Sequence, residues 1–181
     1  MTTRTIWTIG HSTRPIDELI AMLQAHCIQR LVDVRTVPKS RHNPQFNTDA
    51  LARSLAAAAI RYEHAAALGG LRKPKKDSLN GGWRNASFRG YADYMQTDEF
   101  QRALEALVAS GADRRTAIMC AEAVPWRCHR SLVADALVSR SWTVKHIMSS
   151  TKTDDHRLTA FAAIENGRIT YPCPDDAARL F

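Results

Sequence analysis

Thr116-Ala117-Ile118-Met119-Cys120-Ala121-Glu122-Ala123-Val124-Pro125-Trp126-Arg127-Cys128-His129-Arg130 reads as a buried strand, a reactive loop and the opening of a helix. Residues 116–119 are a short apolar run of strand length. Residues 125–140 begin on a proline and place Leu132, Val133, Ala136 and Leu137 at helical spacing, which predicts a helix with one inward face. Residues 144–147 supply the next strand. A strand, a helix and a strand in that order form a βαβ unit, whose strands run parallel.

The same alternation extends toward the N-terminus. Residues 6–9 read as a strand ending at Gly10-His11-Ser12, and Pro15 precedes a helix with Ile16, Leu19, Ile20 and Leu23 on one face. Residues 31–34 form a second strand. A loop over residues 35–46 follows, and then a helix capped by Asn47 or Thr48 that turns Leu51 and Leu55 inward. A third strand spans residues 61–64. Thr97 caps a further helix with Asp98 and Glu99 in its first turn, and Gly111 is placed just past its end. Past Ser149 the pattern weakens. Asn166-Gly167 fits either a hairpin turn or a helix stop, and the helix over residues 155–165 is preferred. The expected fold is a single three-layer α/β domain over residues 1–181, with a mostly parallel sheet of about five strands and helices on both faces. Residues 66–90 are a basic, Gly-rich loop insertion with order resuming near Tyr91, and residues 150–181 a C-terminal extension.

At 181 residues the chain is long enough to bury about 70% of its extended surface without disulfide or metal staples. No apolar run has the ~20 residues of a membrane span, and the first residues enter a strand instead of a signal-peptide core, so a cytoplasmic protein that avoids membranes is expected. The four cysteines form no Cys-x-x-Cys pair, and no metal site or cofactor is expected. The net charge of +7 is uneven: residues 35–90 carry eleven Lys or Arg against three Asp or Glu. That concentration points to an anionic partner, a nucleotide or nucleic acid. The sequence specifies no oligomeric state.

In a parallel α/β sheet, ligands bind outside the carboxyl ends of the strands. Those ends carry His11 and Ser12, Asp33 and Arg35, Glu63 and His64, Cys120 and Glu122, and His146. Alternation should turn some away, such as Asp33 or His146, leaving roughly half to meet Cys128, His129 and Arg130 in one pocket. Cys120 and Cys128 are the candidate nucleophiles, since a helix N-terminus and neighbouring cations favour a thiolate. Glu122 is the candidate acid or base, on the expectation that apolar strands wall it in; an ion pair with Arg127 or Arg130 is the alternative. His11 completes the catalytic set. Arg35, Arg41, Arg89, Arg127 and Arg130 could grip phosphate, with Arg14 and Arg72 as further candidates. Ser12, Asp33, His64, Tyr91 and His129 complete the expected substrate contacts. Trp83, Phe88, Tyr91, Tyr94 and Trp126 could stack on bases.

Thr8-Ile9-Gly10-His11-Ser12, Asp33-Val34-Arg35 with Pro38 and Ser40, Tyr62-x-His64 with Leu68-Gly69-Gly70, Phe88-x-x-Tyr91-Ala92-x-Tyr94-Met95, and Cys120-Ala121-Glu122 with Cys128-His129-Arg130 form a specific motif set. In it the chain resembles the bacterial and archaeal family called domain of unknown function 488. The resemblance covers residues 6–147. It implies an intracellular α/β protein in which these residues cluster, and it supplies no reaction. Members of that family often carry an acid before the proline of the Cys-Ala-Glu segment; here Val124 stands there, and the resemblance assigns no acid to that position. The leading expectation is a hydrolase or transferase acting on a phosphate-bearing substrate. A nucleic-acid-binding module without chemistry and a structural or interaction protein are the alternatives.

Overall fold

Along the first strand, β1 (Thr5–Gly10), side chains alternate between two cores. Ile6 packs with Val32 and Ile118 on one face of the sheet. Trp7 and Ile9 join Leu31, Ala117 and Met119 on the other. Both faces are therefore apolar, as a parallel sheet covered on two sides requires. The computed structural model describes residues 4–174.

The remaining strands are β2 (Arg30–Asp33), β3 (Arg61–His64), β4 (Thr116–Cys120), β5 (Thr143–Ile147) and β6 (Thr153–Asp155), in the order β3-β2-β4-β1-β5-β6. The first five run parallel, and β6 covers the β5 edge antiparallel. Helices α1 (Ile16–Ala25) and α2 (Thr48–Ala57) cover the Trp7 face through Leu19, Leu23, Leu51 and Leu55. Helices α3 (Ala86–Tyr94), α4 (Asp98–Asp113) and α5 (Arg130–Val138) cover the Ile6 face through Tyr91, Leu104, Leu107 and Leu132. Each such leucine contributes about 1.5–3 kcal/mol of burial free energy. The three-layer α/β fold is as the sequence implies, with the sixth strand added.

Four local expectations are corrected. The helix read over residues 155–165 is not present: β7 (Ala163–Glu165) and β8 (Arg168–Thr170) form a hairpin instead. Asn166 (φ 51°) and Gly167 (φ 75°) both take positive φ, the geometry of a two-residue type I′ turn, and this turn chemistry prevails over helix propensity. The helix read from residue 125 begins five residues later. Pro125–Arg127 is a single 3-10 turn, and Cys128 is extended (φ −136°, ψ 146°), so Cys128 precedes α5 rather than lying in its first turn. Gly111 lies inside α4, where a Cβ would come within 2.9 Å of Ile6; it permits close packing and does not end the helix. The basic loop ends at Asn85, because the Asn85 side chain accepts the Ser87 and Phe88 amides and starts α3 there.

The basic loop is held from beneath by one buried carboxylate. Asp93 accepts the Lys75 amide at 2.8 Å, the Ser78 hydroxyl at 2.6 Å and the Asn80 amide group at 2.8 Å. Replacing Asp93 with alanine strands three donors. We expect the Asp93→Ala variant to lose about 3 kcal/mol in urea unfolding and to become sensitive to trypsin at Lys75 and Lys76; a loop as resistant as the parent's would contradict this anchoring.

Candidate functional site

The connection from β1 crosses the sheet on the α1 side to reach β2, whereas the connection from β4 crosses on the α5 side to reach β5. These adjacent strands thus send their chains to opposite faces, which opens a crevice beyond their carboxyl ends. A cavity of about 770 Å³ lies there. Its existence depends on Gly10, where a Cβ would fall 1.8 Å from the Glu122 carbonyl oxygen, so the loop after β4 can pass close beneath β1 only over a glycine.

Of the fourteen residues singled out from the sequence, His11, Ser12, Arg35, Cys120, Glu122, Arg127, Cys128 and His129 line this cavity. Asp33, Arg41, His64, Arg89, Tyr91 and Arg130 do not. Asp33 is fully buried behind the wall, accepting hydrogen bonds from Arg35 and from Tyr62. His64 Nε2 donates to the Arg35 carbonyl. Tyr91 is core, its hydroxyl donating to the Leu68 carbonyl and its ring set against His129. Arg89 donates to the Trp83 carbonyl from α3, and Arg41 is exposed beside a separate shallow depression. Arg14 and Arg72 are likewise engaged, Arg14 by the Gly10 carbonyl and Glu18, Arg72 over the Tyr94 ring. Lys39, Asn43, Asn85 and Ser87 also line the cavity and were not singled out; Asn85 carried a legible signal as an N-cap.

Arg35 is the architectural cation of the wall. Its Nε and Nη2 donate to the two Asp33 oxygens at 2.9 and 2.6 Å, Nη2 also to the Phe46 carbonyl, and Nη1 to His11 Nε2 at 3.2 Å. His11 must therefore carry its proton on Nδ1, which donates to the Ser12 carbonyl at 2.7 Å. Burial, then Arg35, hold its pKa down to about 4, so the ring is neutral and both its nitrogens are occupied. His129 is also held to about 4, chiefly by burial. Its Nε2 donates to the Val34 carbonyl at 3.0 Å, which leaves Nδ1 as an acceptor 3.6 Å from the Cys128 sulfur. Gly70 makes room for that ring: a Cβ there would sit 2.4 Å from Nδ1.

Both thiols are buried and line the floor of the cavity. Cys128 and then the Arg130 guanidinium outweigh burial and hold the Cys120 thiol below its ordinary range. Cys128 is pushed above that range by Cys120 and by its own burial. The Arg130 amide, at the start of α5, points to the Cys128 sulfur at 3.4 Å. The Arg130 side chain is 1% exposed and donates only to the Ala123 carbonyl, with Nε and Nη1 unpartnered among the described residues. Glu122 stands exposed on the rim, without the apolar walls expected of it and without an ion pair among the described residues. No set of three metal-ligating side chains occurs among the described residues. Trp83, Phe161 and Tyr171 pack on one another, Tyr91 and Tyr94 pack on Phe100, Phe88 alone of the five aromatics lines the cavity, and Trp126 is 66% exposed.

The family model described as Domain of unknown function DUF488 matches residues 15–137. The chain belongs to the DUF488 family. The matched span contains Arg35, both floor cysteines and Arg130, whereas His11 and Ser12 lie just before it. No match is found among curated proteins or among solved structures. No helix among the described residues of this DUF488 protein is long and apolar enough to cross a membrane.

Three buried imidazoles, His11, His129 and His146, titrate near 4 in the fold and near 6.5 when unfolded. The unfolded chain binds more protons in that window, so their contribution to stability is complete above about pH 6.5 and is lost as the pH falls toward 4. The urea midpoint should therefore drop steadily from pH 7 to pH 4.5, and less steeply in His146→Gln. A midpoint that stays level over that range would refute neutral burial of these rings.

Proposed function

We propose that this DUF488 protein is an enzyme, a hydrolase or transferase, that takes a phosphate-bearing substrate such as a nucleotide or a nucleic-acid end into the strand-end cavity. One observation carries this reading: Arg35, Lys39 and Arg127 line the cavity, and Glu122 is the sole carboxylate in its lining among the described residues. Lys39 and Arg127 reach the cavity, and neither has an ion pair among the described residues. An anion would supply what they lack. Ser12, Ser40 and Asn85 offer polar contacts, and Phe88 offers an aromatic surface for a base.

In this reading the Cys120 thiolate attacks the electrophilic centre and the bond to the leaving group breaks. Solvent at the rim protonates the leaving atom. The Glu122 carboxylate then takes a proton from the water or acceptor that displaces the sulfur and returns it to solvent. Arg35 and His11 hold the wall in shape, their polar atoms being already paired. Arg130 balances the charge of the thiolate from behind.

A second reading, nucleic-acid binding without chemistry, draws on the exposed Lys73, Lys75 and Lys76 displayed on the loop that Asp93 anchors. The two readings separate in one calorimetric series with inorganic phosphate, adenosine monophosphate and a 5′-phosphorylated oligonucleotide. Binding in the cavity predicts that Lys39→Ala and Arg127→Ala each weaken all three ligands about tenfold, the loss of one charge-assisted hydrogen bond. It also predicts that each ligand slows alkylation of Cys120 by iodoacetamide. Oligonucleotide affinity that falls steeply with salt, ignores Lys39 and Arg127, and collapses when Lys73, Lys75 and Lys76 are neutralised would overturn the enzyme reading in favour of the second.

A further inference from the structure

The cavity floor holds two sulfurs where a nucleophilic enzyme needs one. Cys120 ends β4 and Cys128 follows the 3-10 turn, and both line the same opening. The extended backbone at Cys128 interrupts what would otherwise run on as a helix from Pro125 and leaves its thiol in the lining that Cys120 shares. Around the pair, His129 Nδ1 is an unprotonated acceptor 3.6 Å from the Cys128 sulfur, and the Arg130 amide points at the same sulfur. Behind them the buried Arg130 guanidinium has two nitrogens without partners and no ion pair among the described residues. A buried cation without a carboxylate calls for a nearby anion, and a thiolate at Cys120 fits.

We infer that Cys120 and Cys128 form a dithiol–disulfide redox centre, with Cys120 as attacking sulfur, Cys128 as resolving sulfur and an anionic low-molecular-weight disulfide as oxidant. The inference goes beyond the phosphate reading and does not depend on it. The Cys120 thiolate attacks one sulfur of the disulfide; a Cys120–sulfur bond forms and the first small thiolate leaves. Cys128 gives its proton to His129 Nδ1, and its sulfur attacks Cys120. The Cys120–Cys128 bond forms, the mixed disulfide breaks, and the second small thiolate departs with the proton from His129. Two protein thiols are oxidised and one small disulfide is reduced to two thiols. The low pKa of Cys120 supplies the attacking thiolate, and the raised pKa of Cys128 keeps the resolving sulfur protonated until His129 can accept its proton. Lys39 and Arg127 at the cavity favour an oxidant that carries carboxylates.

Cys27 is exposed and Cys173 half-buried, and neither lines the cavity, so both are changed to serine in the parent used for the test. That protein is incubated with glutathione disulfide and read by intact-mass spectrometry and peptide mapping. The parent should lose two hydrogens and yield a linked Cys120–Cys128 peptide without accumulating glutathione. Cys128→Ser should retain one glutathione on Cys120, and Cys120→Ser should react at least tenfold more slowly. In Arg130→Gln the pH midpoint of the reaction should rise by about one pH unit or more, with Arg130→Lys restoring it. Stable glutathione on the parent without the internal link would overturn the inference. So would an adduct on Cys128 when Cys120 is absent, formed at the parent's rate, or folded protein inert while urea-unfolded protein reacts. Calorimetry with inorganic phosphate on the same samples reads the other proposal separately: phosphate binding in a protein that forms no internal disulfide sinks this inference alone.

Discussion

The buried Asp33–Arg35 pair holds together the loops that leave the sheet. From one guanidinium, bonds run to Asp33 at the end of β2, to His11 after β1 and to the Phe46 carbonyl ahead of α2. Tyr62 and His64 of β3 close the arrangement through Asp33 and the Arg35 carbonyl. A buried ion pair adds little net stability over an apolar pair, yet breaking it would cost about 3–5 kcal/mol, because a charge would be left without a partner in the interior. Its value here is geometric. Three segments of the chain share one wall of the cavity.

Arg130 is the opposite case on the far side of the same cavity. Both guanidinium groups are buried, but Arg35 has a carboxylate and Arg130, among the described residues, has only the Ala123 carbonyl. Asp135, the buried acid one turn along α5, is taken up by His156, the Thr159 amide and Tyr171. An unbalanced buried cation is costly in a fold that only had to be stable. Placed near two thiols it favours the thiolate form of a sulfur, the property on which the proposed redox centre draws. The neutral histidines fit this division of labour, since cationic His11 and His129 would compete with Arg130 for that anion.

The layers of the fold were legible because strand and helix periods are long enough to read. Runs such as residues 6–9 and 116–119, and the spacing of Leu19, Leu23, Leu51 and Leu55, each carry their own signal. The strand ends were legible too, and more than half of the residues named from them meet in the cavity. What did not show was direction and partnership. Arg35 follows β2 and Arg130 opens α5, and nothing in the sequence says that Asp33 turns back to satisfy one while no acid among the described residues pairs with the other. Glu122 carried the opposite misreading, an acid assumed to be walled in that stands in solvent. Asn166-Gly167 was readable but outweighed, since short β7 and β8 have too few residues for alternation to register.

The break between Pro125 and Arg130 shows where local rules yield to chemistry. A proline at N1 followed by an inward stripe is a sound helix signal, and propensity favours running the helix through Cys128. Had it done so, Cys128 would sit in the first turn with its side chain directed by the helix, and its amide would enter the helix ladder. Instead the chain spends one 3-10 turn, extends at Cys128 and restarts at Arg130, so that the Cys128 sulfur, one residue before the N-cap, accepts the Arg130 amide. The N-cap itself is His129, whose side chain makes no capping bond where Ser, Thr or Asp would cap α5 better. Departures of this kind, in which a local preference is overridden without a gain in packing, concentrate at functional sites. Here the departure brings together the two sulfurs, the acceptor nitrogen of His129 and the unpaired Arg130, which is the reason to look for the chemistry of this protein at that break.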